Sequence, residues 1–547
     1  LPGVGKETAK CIMGEIYNVP TILIDSHMVR IMKLLGFTRS NDPKKIETEI
    51  IDTFEKKIWM KLQGLVYGKY MHRAQIMPMI ANFLIQCKKR SCRVVIISHK
   101  TEFGHYDTDK IPLRREAKKW MMDQNFFNPS HFALSEKDVH FASTATEKVS
   151  LIDELNCDVF IDDLPKIFEL DHFPKHVEKI LLNRSFSKIK PNEKYKYKIC
   201  QSWNQISDLL YGEVSTGDLI SWVEHCYPIT IKKISKKTGR RNSRIYQIKD
   251  SSDTLYAMKL YPDKFEDSRN RLRTEFTTVE FLKRNKFDNI PEAIVMCADL
   301  NLGLYSWIEG YQIEQPKIRD LEQAIEFIER LYLLSKNSDR MPELATEACL
   351  SASELINQVQ VRLNRLLEIL ESNWELNDFI TNQFIPIWEK SKRKALRDWP
   401  SNSIDLDLEN SYLTLSPSDF GFHNSIKSGN HIYFIDFEYF GRDDPVKLTA
   451  DFIWHPGMRL SEDLLTKWSN EMLHLFSSDP SFEARLRAAM PLYGLRWIMI
   501  ILNDFLPNIT KYYQGKLTPI DNRKKIQLAQ LEKAKKYCEK LEEMGYY

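Results

Sequence analysis

The sequence predicts a multidomain chain of mixed α/β and α+β class, and three observations lead there. Its 547 residues exceed what one ordinary core accommodates, so about three domains are expected. Between residues 67 and 185, apolar runs such as CRVVIISH and CDVFIDDL alternate with amphipathic helical stretches, the pattern of βαβ units. From residue 212 the pattern changes to paired strands, RIYQIKD and TLYAMKLYP, followed by long helices. The expected domains are 1–66, helical with a glycine hairpin at its front; 67–211, with the lysine-rich linker or exposed edge SFSKIKPNEKYKYK; and 212–547.

Hydrophobic residues make up 43% and charged residues 28%, a globular composition that excludes disorder. A formal net charge of +3 favours no bulk polyanionic partner. Nine cysteines without a paired framework fit a reducing, cytoplasmic compartment, and Cys87 and Cys92 lack the second pair a zinc site needs. The apolar run WIMIILNDFL is too short to span a bilayer, and no signal peptide is visible, so no membrane role is expected. Leu1 stands inside a motif, which gives the expectation of a truncated N-terminus. The terminal stretch IQLAQLEKAKKYCEKL places Leu531, Ala534, Cys538 and Leu541 on one helical face.

Residues 212–547 carry the fullest chemical set. A lysine in mid-strand is usually solvated, but Lys259 lies in a hairpin with a polar turn at Asp250–Asp253. The preceding KKTGRRNSRIY offers a turn with Gly239, Asn242 and Ser243, whose backbone N–H groups suit phosphate oxygens. Glu275 follows in a helical run, the partner such a lysine needs. Farther on, LSPSDFGFHNSI supplies Asp419 as a proton acceptor, and Asn424 and Asp436 supply hard oxygen ligands. An Asx-turn and a helix cap would explain any one of these; five elements in order favour phosphoryl transfer. Together they resemble the aminoglycoside phosphotransferase and choline kinase family, with its protein-kinase-like bilobal fold. The family's HGDxxxxN segment stands here as SPSDFGFHN, with Pro417 and Ser418 before Asp419. Its IDFE is Ile435–Glu438, GRDDPVKLTADF continues the match, and LYSWIEG (Leu304–Gly310) resembles the hinge between lobes. The resemblance implies ATP and Mg2+ as cofactors and a small-molecule hydroxyl acceptor, such as a sugar or glycan precursor. It places Lys259 and Glu275 on the nucleotide phosphates, Gly239, Asn242, Ser243 and Glu309 around the nucleotide, and Asn424 and Asp436 on the metal.

In 67–211, VVIISHKT ends a strand on Ser98, TATEKVSLIDEL puts Lys148 at a helix start, and DVFIDDLP ends a strand on Asp162 and Asp163. Polar groups at the carboxyl ends of parallel strands converge on one crevice. An ordinary α/β domain with acidic loop ends is the alternative. The segments resemble motifs two to four of the haloacid dehalogenase superfamily, which has a Rossmann-like fold and is mostly phosphatases. The resemblance places Ser98 and Lys148 on phosphate and Asp162 and Asp163 on magnesium. Asp25, Asp42 and Asp52 precede Ser98, and none begins the DxD that supplies the superfamily's nucleophile, so no phosphatase turnover is expected.

The front of the chain reads LPGVGKETAKCIMGEIYNVPTILIDSHMVR. Gly3 and Gly5 open a helix and offer amides to a DNA phosphate, and Asp25 ends an apolar run. A glycine turn and a helix-capping aspartate would explain either feature alone. The string resembles the helix-hairpin-helix DNA glycosylases related to endonuclease III, with Asp25 at the position of their catalytic aspartate. Their lyase members have a lysine where Glu7 stands, with Lys6 one position off, and the four-cysteine loop is absent, so no iron–sulfur cluster is expected. The expectation is at most weak DNA binding through residues 1–30, and a fusion near KKIWMKLQGLVYGKYM. Three functions remain open: a small-molecule kinase, a protein related to base-excision repair glycosylases, and a non-catalytic scaffold.

Overall fold

The computed structural model describes residues 64–544, apart from 75, 78, 105–108, 184–194, 213, 238–242, 263–268, 338–341, 401–403, 507–511, 514–515 and 518–519. The hairpin segment with Gly3, Gly5, Lys6, Glu7 and Asp25 therefore lies outside the described residues, as do Gly239 and Asn242.

The strand–helix alternation after residue 67 produces parallel pairing, because each helix carries the chain back over its sheet. Helix α1 (Ile80–Lys89) leads to β1 (Ile96–His99), which pairs in parallel with β2 (Val139–Ala142) across α2 (Leu113–Asp123). Helix α3 (Ala145–Glu154) starts on the Thr144 hydroxyl, which accepts from Glu147 N. Strands β3 (Val159–Asp162), β4 (Glu178–Leu182) and β5 (Lys198–Cys200) form a second parallel sheet. Among the described residues β1 and β3 are not partners, so the parallel strands stand in two pieces. The lysine-rich stretch ends as an edge: β5 buries Cys200 and exposes Lys198, a charged edge that discourages further pairing.

Helices α4 (Trp203–Tyr211) and α5 (Thr216–Cys226) follow, the latter closed by a capping box between Ser215 and Asp218. Trp203, Ile206 and Trp222 share one core with Ile80 and Phe83 of α1 and with Ile248, Met258 and Leu304 of the next sheet. That core has members on both sides of residues 211 and 212, and Met79 N also donates to Asp299 O (3.2 Å).

The next sheet is antiparallel, in the order β6 (Ile231–Lys236), β7 (Arg244–Asp250), β8 (Leu255–Leu260), β10 (Leu302–Ser306), β9 (Ala293–Cys297). The β7–β8 turn forms as its residues suggest, with the Asp250 carboxylate accepting from Ser252 N (2.9 Å) and Thr254 N (2.8 Å). Helix α6 (Arg271–Arg284) coincides with the run RLRTEFTTVEFLKR. After β10 the chain crosses to the helical part at Gly310, whose φ of 157° and close approach to Lys427 O leave no room for a Cβ. Tyr311 and Lys427 then exchange backbone hydrogen bonds of 3.1 and 2.8 Å.

The helical part holds α7 (Ile318–Asn337), α8 (Ala352–Leu367) and α9 (Ile385–Asp398). Four short strands follow, β11 (Thr414–Ser416), β12 (Ser425–Ser428), β13 (His431–Phe434) and β14 (Gly441–Asp443). Helices α10 (Pro445–Trp454), α11 (Glu462–Leu475), α12 (Phe482–Ile501) and α13 (Ile520–Glu543) complete it. Phe327, Phe420 and Phe434 pack ring to ring beneath the β11–β13 segment and fix it from below. Leu531, Ala534, Cys538 and Leu541 are all buried, on the face expected of α13. Among the described residues no helix is long and apolar enough to cross a membrane.

Candidate active site

Lys259 sits on β8 where the strand passes from half-buried to fully buried positions, so its ammonium is enclosed. Its Nζ lies 2.5 Å from Glu275 Oε2 of α6, 2.5 Å from Asp436 Oδ1 and 3.3 Å from Glu438 Oε2. Burial disfavours the charged lysine, but Asp436, Glu275 and Glu438 outweigh it and hold the group well above its ordinary value. Three carboxylates share this lysine, so one of them keeps a proton more readily: burial, with Asp436 and Glu438 beside it, pushes Glu275 up to about 7. Tyr261 donates to Glu275 Oε2 (2.7 Å) and meets the Tyr305 hydroxyl at 2.8 Å, which fixes the glutamate's rotamer. Arg271, at the start of α6, donates to Glu438 Oε1, and the Ser243 hydroxyl lies 3.4 Å from Glu438 Oε2. Glu438 is thereby held as a structural partner between two cations.

Asp436 follows β13 in a left-handed conformation (φ 72°), and Ser418, where the resembled family has glycine, does the same (φ 67°). Such backbone at a non-glycine residue costs about 1–2 kcal/mol and is retained here on both sides of one cleft. Asp419 accepts from Asn424 Nδ2 at Oδ2 (3.1 Å) and faces His423 Nε2 at Oδ1 (2.9 Å). Asn424 Nδ2 also donates to Asp419 O (2.7 Å), and Ile435 N donates to Asn424 O (3.0 Å), which ties the Asp419 loop to the segment after β13 that carries Asp436. His455 Nδ1 accepts from Gly457 N (3.0 Å), so its Nε2 carries the proton of the neutral ring and points at Asp419 Oδ1, 3.5 Å away. The His423 and His455 rings stack at 3.5 Å between centroids.

A hard divalent cation fits this chemistry. Carboxylate oxygens of Glu275, Asp436 and Glu438 lie within 4.8 Å of one another around Lys259 Nζ, and Asp436, which reaches the surface of the cleft, is the one of the three open to such a cation. Asn424 would contribute its carbonyl oxygen, since its amide nitrogen is engaged on Asp419. The structure thus brings together Lys259, Glu275 and Asp436 in one cluster and Asp419 and Asn424 in a second, joined through the β12–β13 hairpin. Glu309 stands apart from both: it is exposed in the segment after β10 and accepts from Trp307 Nε1 (2.8 Å).

Sequence reasoning missed His423, His455, Arg271 and Lys447. His423 stands in LSPSDFGFHNSI, and its spacing from Asp419, four residues, is a usable signal. The others arrive from distant elements: Lys447 Nζ, for example, donates to the Ser418 hydroxyl (2.7 Å) from α10.

In the middle unit Lys148 Nζ pairs with Asp162 Oδ2 at 2.6 Å, both buried, and Asp162 Oδ1 accepts from Leu164 N (2.9 Å). Asp163 is pushed up from its ordinary value by burial and by the Asp162 charge. Ser98 is buried at the carboxyl end of β1, paired in register with Phe141.

No protein-family model matches the chain. A stretch of 78 residues, 14% of this chain, is 31% identical to endonuclease III of Rickettsia felis and covers 36% of that protein. The chain therefore spans about a third of the length of the curated relatives it matches first, at 36–37%. Among solved structures, it is similar to an ADP-bound aminoglycoside phosphotransferase at 14% identity and a TM-score of 0.37, covering 58% of this chain and 97% of that one. A choline kinase of Cryptosporidium parvum is similar at 10% identity and a TM-score of 0.41, over 61% of this chain and 98% of that one. The geometry of the site, and not these distant likenesses, carries the functional reading.

Proposed function

We propose that the chain is an ATP-dependent phosphotransferase that acts on a hydroxyl of a small molecule. The observation that carries this is Lys259 on a strand, held 2.5 Å from both Glu275 of the following helix and Asp436 of the cleft, with Asp419 and Asn424 across the hairpin. Lys259 would release Asp436 and meet the nucleotide phosphates, with Glu275 keeping its ammonium in place. The Ser243 turn and the hinge would enclose the nucleotide. Asp436 and the Asn424 carbonyl would hold magnesium, which neutralises phosphate charge when bound. Asp419 would take the proton of the acceptor hydroxyl as its oxygen bonds to the γ-phosphorus and the bond to the β-phosphate oxygen breaks, with ADP leaving. His423 and Asn424 orient that carboxylate. Calorimetric titration with magnesium–ATP tests the assignment: binding by wild type, lost in Lys259→Ala, supports it, and equal binding by both would sink it.

For the middle unit, the buried Lys148–Asp162 pair supports a phosphatase-like domain that lacks its nucleophile. The 78-residue similarity to endonuclease III favours one further reading, a DNA-contacting segment at residues 1–30 without glycosylase or lyase turnover.

A further inference from the structure

Three arginines from separate elements converge on one carboxylate beside the cleft. Glu347, just ahead of α8, lies 2.7 Å from Arg362 Nη2, 3.4 Å from Arg269 Nη1 and 3.4 Å from Arg496 Nη2. Glu347 is 40% exposed and Arg269 32%, so the cluster opens to solvent, whereas Arg496 is 6% exposed and its Nε is buried without a hydrogen-bond partner. Each guanidinium carries five N–H donors in a fork that matches an oxyanion, more than one carboxylate can satisfy. Behind them Asp451 takes the other side of Arg496 (3.0 Å), and Lys447 pairs with Asp443 (2.9 Å) and Asp451 (3.6 Å). Among the described side chains of this group, four cations meet three carboxylates. Glu347 reflects the same balance: burial pushes its carboxyl up, but Arg362, Arg496 and Arg269 hold it below its ordinary value.

The cluster borders the cleft of the proposed reaction. Lys447 donates to Ser418, the residue before Asp419. Thr346 N donates to Tyr439 O (3.2 Å), and the Tyr439 ring lies under Arg269 (5.1 Å) and Arg271 (4.8 Å), three residues beyond Asp436. An anionic acceptor would find guanidinium donors already gathered here.

Resting on the phosphotransferase reading, we propose that Arg269, Arg362 and Arg496 form the acceptor's anion subsite: the hydroxyl compound carries a carboxylate or phosphate that displaces the Glu347 side chain. Glu347 then acts as a stand-in that keeps the arginines together between turnovers.

The test uses the full chain with magnesium and ADP, titrated with gluconate against glucose and with glycerol 3-phosphate against glycerol. At least one anion should bind saturably and at least about tenfold more tightly than its neutral counterpart, since charge-assisted bonds are roughly twice as strong as neutral ones. The arm that binds identifies the head group. Arg362→Gln should weaken that binding about tenfold, whereas Glu347→Gln, which removes the competing carboxylate, should tighten it several-fold. Equal binding of anions and neutral compounds, no binding of either class, or Glu347→Gln weakening the anion would overturn the proposal. Magnesium–ATP titration of the same samples separates the two claims: its absence in wild type would fail the phosphotransferase reading, and its presence with no anion preference would fail only the subsite.

Discussion

Replacing Lys259 with methionine keeps most of the side-chain volume and removes the cation shared by Glu275, Asp436 and Glu438. Breaking one side of a buried ion pair costs about 3–5 kcal/mol, because the remaining charge is left without compensation. Arg271 stays on Glu438, so the burden falls on Glu275, which is buried and held by Tyr261. At roughly 2 °C per kcal/mol, the melting temperature should fall by about 6–10 °C near neutral pH. The loss should depend on pH. Glu275 is already raised from 4.5 to about 7, so its contribution to stability is full below the lower value and disappears as pH rises through the upper one. Without Lys259 its carboxyl rises further. At pH 6 Glu275 is mostly protonated in wild type and variant alike, so this group adds little to the deficit there, whereas above about pH 7 each further unit adds about 1.4 kcal/mol until the variant's carboxyl ionises. Thermal melts at pH 6.0 and 8.5 should therefore show a larger deficit at the higher pH, and adding Glu275→Gln should restore most of it. An equal deficit at both pH values, or no recovery in the double variant, would refute the reasoning.

Gly310→Ala should destabilise the chain by about 1–3 kcal/mol, because its Cβ would stand 2.3 Å from Lys427 O and force the hinge from β12; an unchanged melting temperature would contradict this. The middle unit should release no phosphate from p-nitrophenyl phosphate with magnesium, and release abolished by Asp162→Asn would reveal a nucleophile outside Ser98, Lys148, Asp162 and Asp163. Incubation with abasic-site duplex and borohydride should trap no adduct, since Glu7 stands where a Schiff-base lysine is needed, and DNA binding should be weak and fall steeply with salt. A trapped species lost in Lys6→Ala would show retained lyase chemistry.

Local chemistry was legible in the sequence because it rests on short-range pattern. The β7–β8 hairpin, α6 and the buried face of α13 follow from alternation, turn residues and helical spacing. Lys259 and Asp436 could be named because each interrupts or ends an apolar run, and Glu275 because its helical run follows the lysine's strand. What stayed hidden depends on chain segments meeting over long separations. Arg271 reaches Glu438 across 167 residues, and Arg496 reaches Glu347 across 149. No periodicity marks such pairs. The shared core through residues 211 and 212 was hidden for a similar reason: α4 and α5 each bury a face, but the sequence does not say on which neighbour. Ser418 shows another limit: a serine does not announce the left-handed backbone (φ 67°) that it adopts before Asp419.

The central claim is that Asp436 serves the metal–nucleotide and Asp419 the acceptor proton, and one comparison separates these roles directly. Magnesium–ATP affinity and the rate of magnesium-dependent ADP formation are measured side by side for wild type, Asp436→Asn and Asp419→Asn. The account predicts that Asp436→Asn weakens magnesium–ATP binding at least about tenfold, the weight of one charge-assisted contact. Asp419→Asn should bind the nucleotide as wild type does and form ADP about 100-fold more slowly or worse, the contribution of a positioned proton acceptor. Loss of nucleotide binding in Asp419→Asn together with unchanged binding in Asp436→Asn would contradict it.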